Sequence, residues 1–125
     1  MSIQIELAIV IVLFFLHFVF GYLLSGAGKP YSTGLLAIHK LASLGALAVI
    51  ALIVWQMRGV VGVGALEIAV IVITGLLFVA AIASGGWLSA DVPSNALMLL
   101  VHKFAPYLAL VASVALLYLF SGARP

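Results

Sequence analysis

Apolar residues in this chain neither alternate nor mark one face of short helices; they run in four long blocks, Ile3–Leu24, Leu35–Trp55, Ala65–Ala83 and Ala96–Phe120. A helix needs about 20 apolar residues to cross roughly 30 Å of hydrocarbon, and each block is near that length. The breaks carry turn chemistry: Ser25-Gly26-Ala27-Gly28-Lys29-Pro30, then Met57-Arg58-Gly59, then Ser84-Gly85-Gly86 through Asp91-Val92-Pro93. Every connection is short, so neighbouring helices are expected to run antiparallel.

A repeat lies inside this pattern. Shifted by 63 positions, Pro30 through Ile50 aligns with Pro93 through Ser113, and seven of the 21 pairs are identical. They are Pro30/Pro93, Leu36/Leu99, His39/His102, Lys40/Lys103, Ala42/Ala105, Ala46/Ala109 and Leu47/Leu110. Matches of Leu and Ala mean little in such helices, whereas the shared proline followed by a His-Lys pair is distinctive. Ser25-Gly26 against Ser84-Gly85 is a fainter echo at the ends of the first and third blocks. The reading is a single membrane domain over residues 1–125, an all-α four-helix transmembrane bundle. It is built from two tandem helical hairpins, a parallel pseudo-repeat about an axis along the membrane normal, with helices two and four diagonal.

Composition narrows the function classes. Of 125 residues, 67% are hydrophobic and 6% charged, and the mean hydropathy is +1.45. That excludes a water-soluble fold and places any chemistry inside the bundle or at its rims. The net charge is only +2 and the basic residues are scattered, so no nucleic-acid footprint exists. Cysteine is absent, which removes disulfides, iron–sulfur clusters, covalent haem attachment and thiolate metal sites. The first block lacks a basic leading region and carries Glu6, so it reads as a mature helix and not a signal peptide.

Ionisable side chains within a span are costly and by default mark function. His39 and His102 each lie nine residues after a proline, and His17 lies eight before Ser25. At 1.5 Å rise per residue all three fall about 12–14 Å inside those markers, in one layer near one membrane side. Symmetry sets His39 and His102 facing each other as the two axial imidazoles of a haem b, one per chain. Ala42, Ala46, Ala105 and Ala109, at i+3 and i+7, leave room there for a flat ring. Lys40 and Lys103 can lean back to the interface and pair with haem propionates, or act as plain snorkelling anchors. The same imidazoles also suit an interhelical hydrogen bond, a transition metal, a quinone or a proton relay.

His17 aligns with Leu76 and so has no counterpart. It reads as a hydrogen-bonding group for a propionate, quinone or donor, as a satisfied packing residue, or as the true partner of His39 or His102. Pro106 frees the His102 carbonyl and is expected to bend the fourth helix. Thr74, Ser43, Ser113 and Tyr107 are expected to bond between helices, and Glu6 and Glu67 to cap the opposite rim. Trp55, Trp87, Tyr31 and Tyr118 fall where an interfacial belt belongs. Arg58 and Arg124 against Lys29 in the loops give an N-in orientation, multi-pass, in a bacterial-type inner membrane.

With its two His-Lys dipeptides on helices two and four, the chain resembles the transmembrane b-type cytochromes of the ascorbate-reducible and hydrogenase-associated kinds. The resemblance implies haem b on diagonal His pairs and electron exchange with a quinol, a small reductant or a redox partner protein. Those cytochromes usually carry a second His pair near the opposite face, and none exists here. The resemblance therefore implies a one-sided carrier, or a subunit that hands electrons on. Two other classes fit the composition: a non-catalytic accessory or assembly subunit of a larger membrane complex, and a small metal or solute transporter, either of them open to homo-oligomerisation.

Overall fold

The chain, seen in a computed structural model that describes residues 1–121, is all-α, with four helices and short connections. They are α1 (Ile3–Ala27), α2 (Thr33–Val61), α3 (Ala65–Ser89) and α4 (Ala96–Phe120). All four are long and apolar enough to cross a membrane. Arg124, one of the residues behind the expected N-in orientation, lies outside the described residues.

The fourth helix has the expected bounds, while α1, α2 and α3 overrun theirs. Met57-Arg58-Gly59 and Ser84-Gly85-Gly86 are helical and do not break the chain. A helical glycine costs about 1 kcal/mol relative to alanine, less than leaving backbone groups unsatisfied in hydrocarbon. The stops lie further on. Gly28 adopts φ +70°, and its N–H donates back to the Leu24 carbonyl at 3.1 Å, closing α1. Gly62, at φ +79°, follows the last residue of α2. These left-handed conformations, and not glycine content, terminate α1 and α2.

The helix starts differ in chemistry. Asn95 caps α4, its Oδ1 accepting the Leu97 and Met98 N–H groups at 2.9 and 3.2 Å. Glu67 caps α3 by reaching back to accept the Gly64 N–H at 2.8 Å. Glu6 differs from the expected rim cap: it is fully buried, at 0% exposure, in the first turn of α1. Asn95→Ala is expected to cost about 1 kcal/mol of stability, and Asn95→Asp only a few tenths. Reversible unfolding in mixed micelles measures both.

The chain divides into two compact units, Met1–Ile53 and Val54–Pro125. In the first, His17 of α1 meets His39 of α2, and Leu13 lies where a Cβ on Gly45 would sit 3.3 Å from its Cδ1. Going backwards on α1 goes forwards on α2, so the two run antiparallel. In the second unit α3 and α4 pack along each other across the connection 90–95. Each unit thus contains a helical hairpin, and the last residues of α2, from Val54, fall in the second.

Burial follows the repeat. Ala42, Ala46, Ile50 and Ile53 of α2 are buried, and at the offset of 63 so are Ala105, Ala109, Ser113 and Leu116 of α4. For α1 and α3 the offset is 64. Buried Val10, Phe14 and His17 correspond to buried Thr74, Phe78 and Ala81. Ile9/Ile73, Leu13/Leu77, Phe14/Phe78, Gly21/Gly85, Leu24/Leu88 and Ser25/Ser89 are identical at that offset. The counterpart of His17 is therefore Ala81 and not Leu76, and the Ser25-Gly26/Ser84-Gly85 echo is out of register.

Candidate cofactor site

His39, half-buried on α2, turns its ring towards α1. Its Nδ1 lies 2.9 Å from the His17 carbonyl oxygen. His102, half-buried on α4, turns likewise towards α3, with Nδ1 2.9 Å from the Ala81 carbonyl oxygen. A carbonyl only accepts, so Nδ1 carries the proton in both rings. In the neutral imidazole the lone pair then lies on Nε2. An N–H of the far nitrogen held by a backbone carbonyl is the usual arrangement of a metal-ligating histidine, because it fixes both tautomer and ring orientation.

A glycine makes each bond sterically feasible. In a helix the carbonyl of residue i lies beside residue i+4, so a ring reaching that carbonyl must cross residue i+4. That residue is Gly21 behind His17 and Gly85 behind Ala81. A Cβ on Gly21 would sit 2.9 Å from His39 Cε1, and one on Gly85 2.6 Å from His102 Cε1. Gly26, Gly75 and Gly86, also helical, would meet nothing within 4 Å. Carbonyl and glycine together form a cradle for the imidazole, present once in each hairpin.

The two cradles differ in what surrounds them. In the first, the buried His17 ring stacks on the His39 ring, centroids 4.3 Å apart and planes 19° apart, with Phe18 edge-on to His17 at 5.3 Å. Two imidazoles lying face to face leave no space for a macrocycle between them, so His17 and His39 do not form the axial pair of one iron. In the second, Ser84 Oγ lies 3.2 Å from His102 Nδ1. Its hydroxyl reaches two carbonyls of its own helix as a donor, Ala80 at 2.6 Å and Ala81 at 3.1 Å. The residue corresponding to Ser84 is Phe20, which has no hydroxyl.

The structure thus brings His17 to His39, and His102 to Ala81 and Ser84. His39 belongs to the first unit and His102 to the second. Lys40 and Lys103 are exposed, as side chains that run out to an interface are. Ala42, Ala46, Ala105 and Ala109 are buried, at 4%, 1%, 6% and 1% exposed. Thr74 and Ser113, expected to bond between helices, instead donate to their own helix, to the Val70 carbonyl at 2.7 Å and the Ala109 carbonyl at 2.6 Å. Tyr107 is exposed on α4, and Pro106 is buried within that helix. Trp55 carries the Arg58 guanidinium 3.3 Å over its ring, and Tyr31 the Lys29 ammonium at 5.9 Å, so the aromatic belt is also a cation–π belt. Among the described residues no three His, Cys, Asp or Glu side chains gather as a metal-binding group.

Gly21, Gly85, Ser84 and the carbonyls of His17 and Ala81 escaped the sequence reading. The identity Gly21/Gly85 is visible at offset 64, and neither at the 63 that relates α2 to α4 nor at the 59 of the Ser25-Gly26/Ser84-Gly85 echo. Comparison with protein-family models, with curated proteins and with solved structures returns no match.

Proposed function

We propose that this chain is a membrane-embedded b-type haem protein for electron transfer, with His39 and His102 as the axial imidazoles of one haem. The observation that carries this reading is the repeated cradle, which in each hairpin holds a histidine as the Nδ1–H tautomer and commits its Nε2 lone pair outward from the bond. The donor set fits, since two neutral imidazoles are the usual ligands of such a haem. Bound haem supplies a one-electron couple. The protein's part is to fix the ligand rings and to keep water from the iron. Lys40 and Lys103, next to the ligands and exposed, suit the propionates at the near interface. The electron donor or acceptor is a quinol or a redox partner protein, in a bacterial-type inner membrane with the N-terminus inside. The resemblance to the b-type cytochromes points the same way.

A specific observation favours a second reading. Each histidine joins two helices by a hydrogen bond, and the alanines beside them are fully packed, which suits an accessory subunit whose polar layer locks its hairpins. A transporter gains less support, since the Thr74 and Ser113 hydroxyls are turned back on their own helices.

The deciding experiment is an oxidised-minus-reduced visible spectrum of detergent-purified protein with a pyridine haemochrome assay. A sharp b-type alpha band at about one haem per chain is expected. A colourless protein from a haem-replete host sinks the haem reading and leaves the accessory subunit.

A further inference from the structure

We infer that Trp55 and Arg58, near the end of α2, form a binding site for the phosphate of an anionic phospholipid. The inference is independent of the haem reading. With 29 residues α2 is about 43 Å long, against roughly 30 Å of hydrocarbon. Its terminal turns therefore stand in the headgroup layer, where lipid phosphates lie, and Arg58 belongs to the last of them. Trp55, one turn earlier and exposed, falls at the edge of the hydrocarbon.

The Arg58 guanidinium lies 3.3 Å over the Trp55 ring. Stacking occupies one flat face of the cation and leaves its edge, where the N–H donors point in a planar fork that matches two phosphate oxygens. The stack also holds a long side chain in place before a lipid arrives, so less rotamer freedom is lost on binding. Among the described residues no carboxylate pairs with this guanidinium. The last carbonyls of α2 carry the negative end of the helix dipole and repel an anion, so the side chain and not the helix end must hold the phosphate. Exposed Leu52 and the indole itself lie on the hydrocarbon side, which suits a ligand that brings acyl chains with its phosphate. The pair is not repeated in the second hairpin. At the offset of 63, exposed Tyr118 stands for Trp55 and uncharged Ser121 for Arg58, so one such site per chain is the consequence.

Two measurements on the full chain test this. Native mass spectrometry of the detergent-solubilised protein, titrated with dioleoylphosphatidylglycerol or dioleoylphosphatidylcholine, reads the first lipid bound. The wild type is expected to bind the anionic lipid about fivefold more tightly, the worth of one basic residue near an anionic surface. Arg58→Gln is expected to abolish that preference. Arg58→Lys, which keeps the charge but loses the fork, and Trp55→Leu, which loses the stack, are each expected to lose most of it, while Lys29→Gln keeps it. In Trp87→Phe, whose one remaining tryptophan is Trp55, phosphatidylglycerol brominated in its chains is expected to quench the emission more than brominated phosphatidylcholine does in mixed vesicles. A wild type without preference overturns the inference. So does a preference that Arg58→Lys retains in full, which is charge attraction alone, or one that Lys29→Gln lowers as far as Arg58→Gln does. Equal quenching by the two brominated lipids puts the anionic lipid elsewhere and overturns it as well.

Discussion

Replacing either His39 or His102 by alanine is expected to abolish six-coordinate low-spin haem, whereas His17→Ala retains it. Each ligand variant removes the only nitrogen its cradle presents, so the expected loss of the low-spin signal is essentially complete in either one. The His17 variant removes a ring stacked on His39 but leaves its carbonyl, the group that holds Nδ1. The second hairpin supplies the precedent, for there an alanine already stands at the corresponding place and its carbonyl holds His102 at the same 2.9 Å. Optical and electron paramagnetic resonance spectra of the three variants decide the matter. Loss of haem on changing His17 alone refutes the assignment.

Gly85→Ala and Gly21→Ala are expected to destabilise the protein although alanine is the better helix former. Propensity favours the substitution by about 1 kcal/mol. Against it stand overpacking, at about 1–3 kcal/mol, and the strained or broken interhelical bond, at about 1 kcal/mol. The net expectation is a loss of about 1–3 kcal/mol, larger at Gly85, where the new Cβ would lie 2.6 Å from the ring against 2.9 Å at Gly21. A ring held through Nδ1 cannot swing aside without giving up that bond. Gly86→Ala is the internal control: it meets nothing within 4 Å, so it is expected to be neutral or stabilising by up to about 1 kcal/mol. Equal unfolding midpoints for Gly85→Ala and Gly86→Ala would show that the imidazole does not rest on Gly85.

Hydropathy alone made the four helices legible, because in a bilayer length and apolarity decide a span almost by themselves. Their ends were harder to read. Gly59, Gly85 and Gly86 resemble stops in sequence, yet a glycine ends a helix only where the backbone turns left-handed, as at Gly28 and Gly62. The histidines stood out because ionisable groups are rare in spans. Their partners did not, because a carbonyl belongs to every residue and leaves no mark on residue type. The repeat relates α2 to α4 at offset 63 and α1 to α3 at 64, whereas the Ser25-Gly26/Ser84-Gly85 echo stands at 59, and that echo is what sets His17 against Leu76. Ala42, Ala46, Ala105 and Ala109 show a further limit. Small residues on a helix face are compatible with a cleft and with close contact alike, and only burial distinguishes the two.

The cradle also determines what genetics can detect. Its acceptor is main chain, so an alanine scan along α3 leaves position 81 as it is, and along α1 removes the His17 ring while sparing the group that matters. Half of each device is thus invisible to side-chain mutagenesis. A deep mutational scan should register the acceptor side of the cradles as an intolerance of alanine at Gly21 and Gly85, while positions 17 and 81 report only the packing of their own buried side chains. The signature to look for is a helical glycine that rejects even alanine, four residues after a position whose side chain the device does not use.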